Sequence, residues 1–318
     1  MSAAFCLLLY SGTLAVLAPP LLARLTRRGV APRLGVALWL VAIGSVTGSV
    51  ATAAGLLAVE LARDWSGPPT TLMGSCLAGL RAAATGVHGS MVRSIVFSAA
   101  GGLMLAVGVV LLRLGRTWAR ARDATRAHAR MVRLAGAARP SLGAVVLDVP
   151  ERAVYCVPGR PSTVVFTTGA LAVLDPGQVG AVLAHERAHL TGRHHLVIAL
   201  TRGLCLCLPR VELFSCGAEE VARLLEMSAD DAAARTHGSG TVLKALVELS
   251  SPSVPSGVPA GALAAHGVGV LARAERLAVP ATARARRRAT LQLATTMTAV
   301  ALAPLVLGVL AVCGPLWG

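Results

Sequence analysis

Long apolar runs separated by arginine-bearing stretches dominate the pattern of this chain. Residues 2–23, 34–59, 94–112 and 289–318 carry no charged side chain, and each has arginines at its border. Each is close to the ~20 residues that an α-helix needs to cross a bilayer. The pattern predicts four membrane spans. Between the third and fourth the periodicity changes. Residues 117–139 read as an arginine-rich helix ended by Pro140. Three β-branched runs follow, at Ala144–Val149, Ala153–Val157 and Ser162–Thr167, separated by proline turns, and these read as strands. Asp175-Pro176 then opens a helix: Asp175 caps it, Pro176 suits its first turn and Gln178 completes a capping box. Val179, Val182 and Leu183 supply its buried side, and Gly192 offers a C′ position.

Further on the pattern is less regular. Residues 196–214 are apolar but interrupted by Arg202, Pro209 and Arg210, which suits a helix at the membrane interface better than a fifth span. Residues 217–236 are strongly helical. Pro252, Pro255 and Pro259 mark a flexible segment, and a last helix near 261–278 leads to the fourth span. No internal repeat is visible. The expected organisation is three spans in residues 1–113 (about 2–23, 34–59 and 94–112), a polar domain in 114–288 and the fourth span in 289–318.

Charge orients the chain. Arg24, Arg27, Arg28 and Arg33 follow the first run without an acid among them. Eight arginines from Arg113 to Arg139 follow the third, and Arg284, Arg286, Arg287 and Arg288 precede the fourth. Loop 60–93 is nearly balanced. The positive-inside rule then puts residues 113–288 in the cytoplasm and both termini outside, giving a multi-pass cell-membrane protein. The positive charge of the first run comes after it, so an uncleaved span is expected rather than a signal peptide.

Composition agrees: 55% of residues are hydrophobic and mean hydropathy is +0.68, too apolar for an ordinary soluble domain. The net charge of +15 is concentrated at membrane edges, where it sets topology and meets anionic headgroups. Direct nucleic-acid binding is not expected. One Lys (Lys244) stands against 29 Arg, and Asn is absent, a bias that points to a high-GC bacterial genome. Seven cysteines lie in spans, alone in the outer loop, or on the reducing side, so no disulfide framework is expected. Cys205 and Cys207 read as small buried hydrophobes. The uncharged spans lack the ionisable residues of a transporter or channel.

The chemistry is concentrated in His185-Glu186-Arg187-Ala188-His189, inside the helix that opens at Asp175. Residues i and i+4 of a helix lie about 40° apart around its axis, so both imidazoles can share one Zn²⁺, with Glu186 beside them as general base. A catalytic zinc needs a third protein ligand and one open position. Two residues are available. Glu226 lies 37 residues beyond His189 on a separate predicted helix, with Asp230 one turn further on the same face. Asp230 can accept a hydrogen bond from the non-ligating nitrogen of a metal-bound histidine, which orients the ring. His195 instead completes the longer metzincin pattern through Gly192, although only Met227 is available for the Met-turn that such proteins need. Arg235 and His237 follow the Glu226 helix and are oxyanion-binding candidates by position alone.

The run Val154–His195 resembles the core of a membrane zinc-peptidase superfamily that includes the HtpX and CAAX prenyl endopeptidases and the BlaR/MecR antirepressor peptidases. The likeness rests on the hairpin Ala153–Gly159, on Val164–Leu171, on Val182-Leu-Ala-His-Glu-x-x-His189 and on Glu226-x-x-Ala-Asp230. Gln178 stands where those enzymes often carry an acid. The resemblance implies a four-helix membrane protein with a cytoplasmic α+β zincin-type metallopeptidase domain, one Zn²⁺ per chain on His185, His189 and Glu226, and Glu186 as the catalytic base. It implies a protein or peptide substrate in or near the lipid bilayer. A transcriptional repressor is one specific substrate, and membrane-protein quality control is another role. The layout is closest to the BlaR/MecR group, but the chain ends at Gly318, so no extracellular penicillin-binding sensor is expected. The non-enzymatic alternative is a membrane signalling or scaffold protein that retains a peptidase fold. A retained Glu186 argues against it, because zinc binding alone needs no general base.

Overall fold

The structure is a computed structural model that describes residues 3–66, 89–159, 161–251 and 260–313. Cys76 and the proline-rich segment at 252–259 lie outside the described residues. Among the described residues four helices are long and apolar enough to cross a membrane: α1 (Ala3–Thr26), α2 (Pro32–Ser66), α3 (Gly89–Ala135) and α10 (Ala283–Cys313). Helices α1, α2 and α10 pack together. The Tyr10 hydroxyl stitches them by meeting Ser45 Oγ at 2.8 Å and donating to the Val300 carbonyl at 3.0 Å.

Helix α3 differs from expectation. The third apolar run and the arginine-rich helix are one continuous rod that passes the expected boundary at 113/114 without a break. It ends four residues earlier than Pro140 suggested. Residues Ala137–Arg139 form strand β1 instead, antiparallel to β2 (Ala144–Leu147). Gly136 explains the switch: a Cβ there would collide with Val145 and crowd the Val132 carbonyl, so only glycine lets the chain fold back this tightly.

The sheet has the order β1-β2-β4-β3, with β3 at Val154–Val157 and β4 at Thr163–Thr167. β4 pairs parallel with β2 and antiparallel with β3. Both faces of β4 are covered, which accounts for its unbroken apolar sequence. Val164 and Phe166 join the core that contains Val182. Val165 faces Ala129 and Val132 of α3. After β4 the chain enters a short helix, α4 (Thr168–Val173). Thr167 caps it by accepting from the Ala170 N–H.

Helix α5 (Pro176–Thr191) carries the full Asp175–Gln178 capping box. Its far end departs from expectation. Gly192 is right-handed (φ −74°), and the left-handed residue is Arg193 (φ 50°). That turn starts α6 (His194–Cys207) directly, and Leu208–Val211 separate α6 from α7 (Glu212–His237). Helices α8 (Ser239–Ser250), which was not anticipated, and α9 (Ala260–Ala278) complete the domain.

Helix α7 is seated on the base of the α1–α2 hairpin. Trp39, Leu38 and Ile43 of α2 are buried against Leu213, Phe214, Val221 and Leu224 of α7. Gly217 permits the approach, because a Cβ there would lie 3.0 Å from Ile43. Arg223 of α7 donates to the Thr26 and Arg27 carbonyls and pairs with Glu220. The helix that presents Glu226 is thereby held directly against the apolar hairpin.

Candidate metal centre

Three side chains from two helices converge. His185 and His189, one turn apart on α5, bring their Nε2 atoms to 3.1 Å. Glu226 of α7 places Oε2 3.5 Å from His185 Nε2 and Oε1 3.4 Å from His189 Nε2. Among the described residues these three form the group that can hold a metal ion. The spacing fits zinc. Metal–ligand bonds of about 2.0–2.1 Å at tetrahedral angles separate ligand atoms by about 3.3–3.4 Å.

The second nitrogen of each ring has its own partner, which leaves both Nε2 atoms facing inward. His185 Nδ1 lies 3.0 Å from Asp230 Oδ1. His189 Nδ1 lies 2.9 Å from His194 Nδ1, so one of those two nitrogens carries the proton. Asp230 is completely buried. Its charge is matched by Arg273 of α9, whose Nε and Nη2 each donate to a carboxylate oxygen at 2.7 Å. Arg273 Nη1 also lies 3.0 Å from Glu226 Oε2. A single guanidinium therefore touches both acids of Glu226–Asp230.

The electrostatics follow from burial and these contacts. Burial alone would lower His185, but the Asp230 and Glu226 hydrogen bonds prevail and raise it to about 9. At His189 burial outweighs the opposing Glu226 charge and takes it down to about 4. Burial raises both acids. It is outweighed at Glu226 by His185 and Arg273, and at Asp230 by Arg273 and His185, so each falls to about 2. Glu226 keeps 38% of its side-chain surface exposed. Glu186 is the opposite case: desolvation dominates and raises it above the ordinary carboxylate range, with the Glu226 charge adding and His185 opposing. A carboxylate raised in this way is a better proton acceptor near neutral pH.

Cys156 of β3 is hydrogen-bonded to Glu186, and burial followed by that carboxylate pushes its thiol up to about 12. Such a thiol stays protonated and inert. Among the described residues β3 pairs only with β4. Its other edge is unpaired, on the strand that contacts Glu186.

His195 is exposed and stands outside the cluster, at the start of α6. Its neighbour His194 is buried against His189 instead. Arg235 is exposed, and the His237 ring lies over Gly180, so neither reaches the cluster. Three participants carry no sequence signal strong enough to find them. Arg273 is one arginine among 29, Cys156 one residue of an apolar strand, and His194 a histidine just past a helix end.

Residues 119–218 match the sequence profile of peptidase family M48, which supports a zinc-type metallopeptidase hydrolase. The matched stretch runs from the second half of α3 into α7 and contains His185, Glu186 and His189. It stops before Glu226 and Asp230. Comparison with curated proteins and with solved structures gave no significant match.

Proposed function

We propose that the chain is an integral-membrane, zinc-dependent metalloendopeptidase that cleaves membrane or membrane-proximal proteins at the cytoplasmic face. The observation that carries this reading is the convergence of His185, His189 and Glu226 at ligand spacing, with Glu186 beside them. His185, His189 and Glu226 would hold one Zn²⁺, which when bound supplies Lewis-acid polarisation of a water and of a carbonyl oxygen. Asp230 fixes the His185 ring through Nδ1 and keeps its Nε2 directed inward. Glu186 takes the proton of the water that attacks the scissile carbonyl and returns it to the departing amine nitrogen. Desolvation, which raises the Glu186 carboxyl, favours both transfers. The free edge of β3 suits an extended peptide, which would gain main-chain hydrogen bonds there.

The domain of residues 114–288 lies inside and the fourth span follows it; the arginine clusters support this orientation. The four apolar helices and the seating of α7 on the α1–α2 hairpin favour substrates at the bilayer. Regulatory cleavage of a repressor and removal of damaged membrane proteins are the two roles that fit this position. The direct test is proteolysis of a casein-type substrate by the full chain in detergent. Glu186→Gln should retain zinc and lose cleavage by at least about a hundredfold, within the range of general acid–base catalysis. Undiminished cleavage by that variant would overturn the reading.

A further inference from the structure

A groove of about 910 Å³ lies between α5, α7 and the start of α2, beside the metal centre and separate from it. Its polar lining includes Arg33, His194, Ser228, Arg235 and His237, and no Asp or Glu lines it. Arg33 approaches Ser228 Oγ at 3.4 Å, and His194 lines the same groove. Arg235 and His237 line the groove too, at the end of α7. Arg187 also borders it, but its guanidinium reaches toward the Gly143 turn.

Neither Arg33 nor Arg235 has a carboxylate within ion-pair distance among the described residues. Residues 67–88 and 252–259 contain no Asp or Glu. Glu60 and Asp64 belong to the opposite end of α2, roughly 40 Å from Arg33 along the helix. Arg33 and Arg235 are therefore without ion-pair partners among the described residues, while the carboxylate charge acting on His194 is that of Glu226.

The remaining lining points to the kind of anion. Val36 of α2 and Val197 of α6 add an apolar wall. Arg33 opens the helix that starts the second candidate span at Pro32. In a bilayer this is the depth of lipid phosphates, with acyl chains below. We propose that the groove binds an anionic phospholipid, with its phosphate at Arg33, Ser228 and His194 and its apolar part against Val36 and Val197. A free phosphate would leave that apolar wall unused. His194 lies 2.9 Å from His189, so the same side chain borders the lipid groove and the metal centre.

The inference rests on the spanning reading of α1 and α2 and not on the peptidase reading. The test uses the full chain in mild detergent, titrated with dioctanoyl phosphatidylglycerol, dioctanoyl phosphatidylcholine or inorganic phosphate, with thermal shift as readout. Saturable stabilisation by phosphatidylglycerol alone is expected. Arg33→Gln should weaken it about tenfold, the scale of one charge-assisted hydrogen bond. Arg120→Gln/Arg122→Gln on α3 should leave it unchanged. Undiminished binding by the Arg33 variant, equal binding of phosphatidylcholine, or saturation by phosphate as tight as by the lipid would overturn the proposal. Alkaline extraction of membranes is run alongside. Release of the chain overturns the spanning reading itself, whereas retention with unaltered lipid binding in the Arg33 variant overturns only the groove.

Discussion

Arg273 grips Asp230 through two bonds of 2.7 Å, and through them the last helix of the domain reaches the metal centre. Asp230 is fully buried, and a buried carboxylate without its partner is costly, by about 3–5 kcal/mol when one side of such a pair is removed. Arg273→Gln should lower stability by this order and weaken zinc binding about 10–100-fold, as loss of an outer hydrogen-bond partner does. Arg273→Lys should restore part of the stability and little of the geometry, because an ammonium cannot make the two-pronged contact. Thermal unfolding and competition with a chelator measure the two effects. An Arg273→Gln variant with wild-type zinc affinity would remove Arg273 from the site.

Zinc affinity should depend on pH through one histidine. His189, lowered to about 4, is already neutral at pH 6. His185, raised to about 9 by Asp230 and Glu226 against the effect of burial, must lose its proton before its Nε2 can bind metal. Apparent affinity should therefore rise about tenfold per pH unit from pH 6.5 and level off above about pH 9. Asp230→Asn removes the first stabiliser of the charged ring and should move the plateau to lower pH. Competition titrations across this range decide the matter. A flat profile would contradict the proposed hold of the two acids on His185.

The same shift governs the metal-free protein in the opposite sense. A histidine raised in the folded state contributes stability that is complete below its unfolded value of about 6.5 and is lost as pH rises through about 9. Asp230, lowered to about 2, contributes stability that is complete above its unfolded value of about 3.9 and is lost as pH falls toward 2. His189, lowered to about 4, works the other way and loses stability as pH falls below about 6.5, so chelator-treated protein should be most stable near pH 6.5. Denaturant midpoints across pH provide the check. A maximum above pH 9 would contradict the assignment.

The cap of α5 tests whether the histidine helix is independently stable. Asp175 accepts the Gln178 N–H at 2.8 Å while the Gln178 side chain accepts the Asp175 N–H at 3.0 Å. Asp175→Ala should cost about 1 kcal/mol. It should leave zinc affinity nearly intact, since His185 is ten residues away and is held by Asp230. A large loss of zinc in this variant would show that the helix depends on its cap to place the site.

Local signals made much of this architecture legible. The three main strands and the capped helix follow from β-branched runs, prolines and a capping box, which act over a few residues. The boundary at Gly136 depended on Val145, whose closeness only the tertiary fold creates. Helix α8 lies in a stretch without a marked start signal. At the site, the His185–His189 pair was readable because both residues sit on one helix. Glu226 was readable as a candidate through its spacing to Asp230. Arg273 was not, because its role arises from where α9 packs. Sequence spacing singled out His195 rather than His194, whereas in the fold, just past the left-handed Arg193, His194 is buried and His195 is exposed.

The most direct measurement is zinc per chain in the purified full-length protein and in Glu226→Ala and His195→Ala side by side. About one zinc is expected in the wild type and in His195→Ala, with a loss of affinity beyond the 10–100-fold of a mere hydrogen-bond partner in Glu226→Ala. A metal-free wild type, or a loaded Glu226→Ala beside an empty His195→Ala, would contradict the centre formed by His185, His189 and Glu226.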